Sequence, residues 1–122
     1  MEGGLCVEPS ESTALVDYME GARRFGGDEA LFRKYLGKFL SAPEYGALCA
    51  AMDQGRRADA FALAHTLKGN AGNLSLTALY ARASELTEAL RDEATVPQAE
   101  KLLPQLELAY RETVAELERF LA

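Results

Sequence analysis

From Ser12 onward the apolar positions recur with helical spacing. Leu15, Tyr18, Met19 and Ala22 stand at i, i+3, i+4 and i+7, and the run closes at Gly26-Gly27, where glycine readily takes the left-handed conformation that ends a helix. Asp28 is a good N-cap for a second helix, whose Leu31, Phe32, Tyr35, Leu36, Phe39 and Leu40 form a broad apolar stripe ending near Ser41. Ser41-Ala42-Pro43-Glu44 reads as a capping box with proline inside the first turn, opening a third helix with Tyr45, Leu48, Cys49 and Met52 on one face. Gly55 stops it. A fourth helix runs from about Arg57 into the 69–74 region, with Gly69-Asn70 as an alternative, earlier end. A fifth starts near Ser75 and carries Leu76, Leu79, Ala83, Leu86 and Leu90. Thr95-Val96-Pro97-Gln98 is a second capping box, opening a last segment with Leu102, Leu103, Leu106, Tyr110, Val114, Leu117 and Leu121. That segment is expected to kink or restart at Pro104, which lacks a donor and clashes one turn back.

No segment alternates with period two, and no hairpin signal separates β-branched runs. The chain is therefore read as all-α: an antiparallel four-helix bundle with an additional short N-terminal helix, the four longest helices supplying the core. Residues 1–11, with Gly3, Gly4 and Pro9 and little apolar content, are read as a flexible N-terminal arm, and 12–122 as one domain.

Composition narrows the function. With 122 residues, 48% hydrophobic and 26% charged, the chain can bury a core without disulfide or metal staples. A net charge of −6 argues against nucleic acid or an anionic membrane surface as partner, since either would repel its average field, and favours a protein. Cys6 and Cys49 stand in no metal or redox spacing, and no signal segment or long apolar span is present, which reads as a reduced, cytoplasmic protein. A single histidine removes every site that needs two imidazoles, the lack of a second His or a Cys pair argues against zinc chemistry, and His65 is left as the candidate for polar chemistry near neutral pH.

On a helical wheel of about 100° per residue, Ala60, Leu63, Ala64, Leu67, Ala71 and Leu74 fall in one arc, and His65 points about 150° away from its centre. The imidazole should face solvent. Its face is shared by Ala58, Phe61, Ala62, Lys68, Gly69 and Gly72. Two glycines inside a helix cost roughly 1 kcal/mol each relative to alanine, and close approach of another protein's surface is one reason to carry them. Lys68, one turn from His65, is placed to offset the charge of an anion on the ring nitrogen. The segment 56–74 holds Arg56, Arg57 and Lys68 against Asp59, a local inversion of the chain's sign that suits a phosphoryl group.

The run Ala64-His65-Thr66-Leu67-Lys68-Gly69, followed by Asn70-Ala71-Gly72-Asn73-Leu74, resembles the histidine-containing phosphotransfer (HPt) domain family. Arg24-Phe25-Gly26-Gly27-Asp28 with Leu31, Tyr35 and Phe39 is similar to the family's first two helices, so the likeness spans about residues 12 to 120. It implies a four-helix bundle whose exposed histidine receives a phosphoryl group from a receiver-domain aspartate, or from a kinase, and passes it to another receiver. His65 takes the nucleophile's place, Lys68 offsets phosphate charge and Gly69 admits the receiver's active site. Receiver recognition falls to the surface around them, with Phe61, Ala62, Gly72 and Asn73 as candidates. In better-known members a Glu or Gln on the following helix orients the imidazole, and counting along the motif places Thr87 there.

The protein so read is a phosphoryl carrier without an ATP site of its own and without an intrinsic cofactor, the Mg²⁺ belonging to the partner receiver. Response-regulator receiver domains, or a hybrid sensor histidine kinase, are the implied partners, and a monomer suffices. The alternatives are a helical adaptor that binds a receiver or kinase without being phosphorylated, and the phosphotransfer segment of a larger hybrid kinase.

Overall fold

The computed structural model describes residues 15–122, and the arm expected over residues 1–11 lies outside them. Six α-helices occupy the described residues: α1 (Tyr18–Arg24), α2 (Glu29–Leu40), α3 (Glu44–Asp53), α4 (Arg57–Asn73), α5 (Thr77–Ala89) and α6 (Val96–Leu121), with a 3-10 turn at Glu93–Thr95 before α6. No strand is present among the described residues.

Two aspartates start the chain's first helices. The Asp17 carboxylate accepts from the Glu20 N–H and the Asp28 carboxylate from the Leu31 N–H, both at 3.0 Å, each satisfying a donor that the helix itself leaves unpaired. The first helix thus begins at Tyr18 rather than Ser12, and Leu15 and Val16 precede it. This start also turns its packing face. Tyr18 and Gly21 are buried while Met19 is exposed, so Met19 does not join the inward stripe that spacing assigned to it.

The two expected capping boxes do not form. Ser41 instead closes α2, with its N–H on the Lys38 and Phe39 carbonyls, and Pro43 is the residue before α3 rather than inside its first turn. Thr95 turns its hydroxyl back to the Ala89 and Asp92 carbonyls, at 2.7 and 3.0 Å, and so ties the end of α5 to the start of α6. Nor does the last helix restart at Pro104, since α6 runs unbroken from Val96 to Leu121. Its inward residues Ala99, Leu106, Ala109 and Leu117 are buried on both sides of the proline, and that shared burial outweighs one lost hydrogen bond.

Short connections make the neighbours antiparallel. α4 packs against α3 and α5, and α6 against α5 and α2. The start of α4 meets the end of α5, where Arg57 donates to the Leu90 carbonyl at 2.8 Å. Along α2 and α6 the pairs Arg33 with Phe120 and Phe39 with Tyr110 run in opposite directions. The four longest helices supply most of the core, including Phe32, Leu36, Leu67, Leu79, Leu86 and Leu106, and α3 adds Leu48 and Ala51. α1 lies on α2 because Gly21 has no side chain: a Cβ there would stand 2.2 Å from Phe32 Cζ. No helix among the described residues is long and apolar enough to cross a membrane.

Candidate functional site

The site is built on α4. Ala60, Ala64, Leu67 and Ala71 are buried against the bundle, which fixes the helix's rotation and leaves His65 exposed on its outer side. The helix continues past Gly69-Asn70, so that alternative end is not used. It closes in a Schellman motif, with the Leu76 N–H on the Ala71 carbonyl at 2.8 Å and the Ser75 N–H on the Gly72 carbonyl at 3.2 Å. Ser75 takes the left-handed conformation this motif needs, at φ 59°, a position usually given to glycine. Its hydroxyl donates to Glu20 Oε1 at 2.8 Å, which binds α1 to the α4–α5 turn.

A groove of about 490 Å³ opens beside the imidazole. It brings together His65, Lys68, Gly69 and Gly72, which spacing places on one face, with the recognition candidate Asn73, and adds Tyr80 of α5 and Arg24 of α1. Arg24 escaped the sequence reading as a site residue because no helical wheel relates α1 to α4. It is held 3.6 Å from Glu20, the carboxylate that Ser75 fixes. Lys68 is half-buried, and Gly69 and Asn73 are exposed.

The two glycines have different reasons. A Cβ at Gly69 would meet open space, so nothing inside the molecule demands glycine there. At Gly72 a Cβ would come within 3.1 Å of the Tyr80 ring, so the absence of a side chain lets Tyr80 lie against α4. Gly72 thus has a packing reason inside the molecule that Gly69 lacks.

The other candidates lie off the groove. Ala62 is exposed and its carbonyl accepts from the Thr66 hydroxyl at 3.0 Å. Phe61 is half-buried, packs against the core and lies offset beside the imidazole: the Phe61 and His65 centroids are 6.3 Å apart with planes 13° from parallel. The Arg91 guanidinium sits 5.2 Å from the Phe61 centroid and is paired with Glu88 at 3.0 Å. Thr87 does not take the place the resemblance gave it. Its side chain is 0% exposed and its hydroxyl donates to the Ala83 carbonyl at 2.7 Å, an internal hydrogen bond of α5.

The positive charge of segment 56–74 is also dispersed. Arg56 pairs with Asp59 at 3.3 Å, and Arg57 caps the carbonyls of Leu90 and Arg91. Lys68 alone of the three cations lines the groove. Among the described residues no group of three or more His, Cys, Asp or Glu side chains is placed to hold a metal ion. The remaining cysteine in view, Cys49, is free and half-buried in α3.

No curated protein and no solved structure is a match for the chain. A family model described as the Hpt domain does match, over residues 39–119, which takes in α3, α4, α5 and nearly all of α6 together with the whole His65-to-Asn73 run. The upstream likeness of α1 and most of α2 lies outside the matched segment. A chain whose described residues form helices and no strand, and whose outward histidine lies within that match, belongs to the Hpt domain family, the histidine phosphotransfer domains of two-component systems.

Proposed function

We propose that the protein is a phosphorelay carrier in which His65 takes a phosphoryl group from the aspartate of a receiver domain and yields it to another. The observation that carries this reading is the exposed imidazole on the rim of a groove that also holds Lys68 and the unobstructed Gly69. In the forward step the lone pair of the neutral imidazole, at Nε2, attacks phosphorus. The P–O bond to the receiver's carboxylate breaks, its electron pair stays on that carboxylate, and Nδ1 keeps its proton. Lys68 offsets phosphate charge as the N–P bond forms, and Gly69 leaves room for the incoming active site. The return step is the reverse. The Mg²⁺ that favours transfer belongs to the receiver, as does the acidic cluster that holds it.

The test is to mix the protein with a phosphorylated receiver domain. The expected product is an acid-labile, base-stable phosphate on this chain that His65→Gln abolishes. A protein that binds the receiver but acquires no phosphate from it is an adaptor, and the carrier reading then fails.

A further inference from the structure

The geometry points to Phe61, steadied by Arg91, as the positioning residue for the His65 imidazole, in the role that Thr87 does not fill. The inference rests on the carrier reading and deepens it. An imidazole on an exposed helical face turns freely about two side-chain bonds, and only some of its orientations present a nitrogen to an incoming phosphorus in line. Something has to select them. The Thr87 hydroxyl is buried and gives its proton to the Ala83 carbonyl within α5, and no hydrogen bond joins it to His65.

What the imidazole does touch follows from helix geometry. Side chains on a helix lean toward its N-terminus, so a residue lies over the one a turn earlier, and for His65 that is Phe61. The near-parallel rings, 6.3 Å between centroids, are an offset stack. An offset neighbour of this kind restrains the plane of the imidazole and takes up neither nitrogen, so both stay available for the phosphoryl group and for a proton. The support is itself fixed. Phe61 is packed against the core on one side, and the Arg91 guanidinium lies over its ring while paired with Glu88. Arg91 is in turn held in place through its backbone, whose carbonyl accepts from Arg57 at 3.2 Å. α4 and the end of α5 therefore share the task of holding one ring plane.

One histidine in the chain makes the test direct, because every imidazole signal in an NMR spectrum of the full chain is that of His65. Phe61→Leu should shift the imidazole proton signals as the neighbouring ring current is lost. It should also slow transfer from a phosphorylated receiver domain about tenfold at saturating receiver, with the half-saturating concentration unchanged. Phe61→Tyr should restore both signals and rate, and Thr87→Val should leave both at parental values. Thermal melts confirm that each variant is folded. Imidazole signals that stay put in Phe61→Leu would overturn the proposal. So would a loss confined to the half-saturating concentration, which would make Phe61 a docking residue. A parent protein that gains no phosphate, even from phosphoramidate, overturns the carrier reading and this role with it. The two failures are distinguishable, since the imidazole signals report the stack in the unphosphorylated protein.

Discussion

Gly69 and Gly72 look equivalent on a helical wheel, yet they answer to different neighbours. Replacing an interior helical glycine by alanine reduces the freedom of the unfolded chain and stabilises by about 1 kcal/mol where the new methyl group has room. Gly69 has that room. Gly69→Ala should therefore raise the melting temperature, while Gly72→Ala should gain less, because the Tyr80 ring at 3.1 Å has to give way. Function should sort them the other way round. Gly69→Leu is expected to leave the bundle folded and slow phosphoryl transfer by occupying the space beside His65, and transfer at the parental rate would remove the account of that glycine. The outward direction of His65 was legible because the inward arc of α4 is unambiguous. The difference between the glycines was not, because Tyr80 reaches Gly72 from another helix.

Helix existence could be read from apolar spacing, but helix ends were decided by competition that spacing does not contain. Ser41 and Thr95 both carry the N-cap signature, yet Ser41 closes α2 through its backbone N–H and Thr95 turns its hydroxyl back to the end of α5. The end of α4 was hidden for a different reason: its left-handed residue is Ser75, not glycine, and the compensation is a hydrogen bond to Glu20 far away in sequence. The same dependence on distant partners governs α1. With Gly21 in place the helix lies directly on the Phe32 ring, and the added Cβ of Gly21→Ala would require that ring or the helix to move. An overpacked contact of this kind costs about 1–3 kcal/mol. Gly21→Ala should lower stability by that amount in chemical denaturation, and Phe32→Leu in the same chain should recover part of it. Because α1 delivers Arg24 to the groove, the single variant is also expected to lower the affinity for a phosphorylated receiver.

At the scale of the whole molecule, the bundle is closed by tyrosines that join α6 to the rest. Tyr18 packs at a tilt against Phe120 with centroids 4.4 Å apart and donates its hydroxyl to Glu116, while Tyr45 and Tyr110 stack at 3.8 Å between α3 and α6. Burial raises the pKa of all three above the ordinary 10.0, and for Tyr18 the bonded Glu116 carboxylate raises it further. The folded state therefore keeps protons that the unfolded chain loses. A raised tyrosine contributes its full stability below about pH 10 and loses it as the pH climbs from there toward the folded value, because the unfolded state then binds fewer protons. Denaturation midpoints should accordingly hold steady up to about pH 10 and fall above it. Tyr18→Phe isolates one share of that slope, at most about 1.4 kcal/mol per pH unit, since phenylalanine keeps the ring contact with Phe120 and removes the titrating hydroxyl. The variant should be less stable than the parent at neutral pH, having left Glu116 with Arg119 alone at 3.0 Å, and the gap should narrow as the pH rises past 10. A constant gap across that range would mean that the Tyr18 hydroxyl is not held neutral by the folded state, and that α6 is fastened to α1 by ring packing alone.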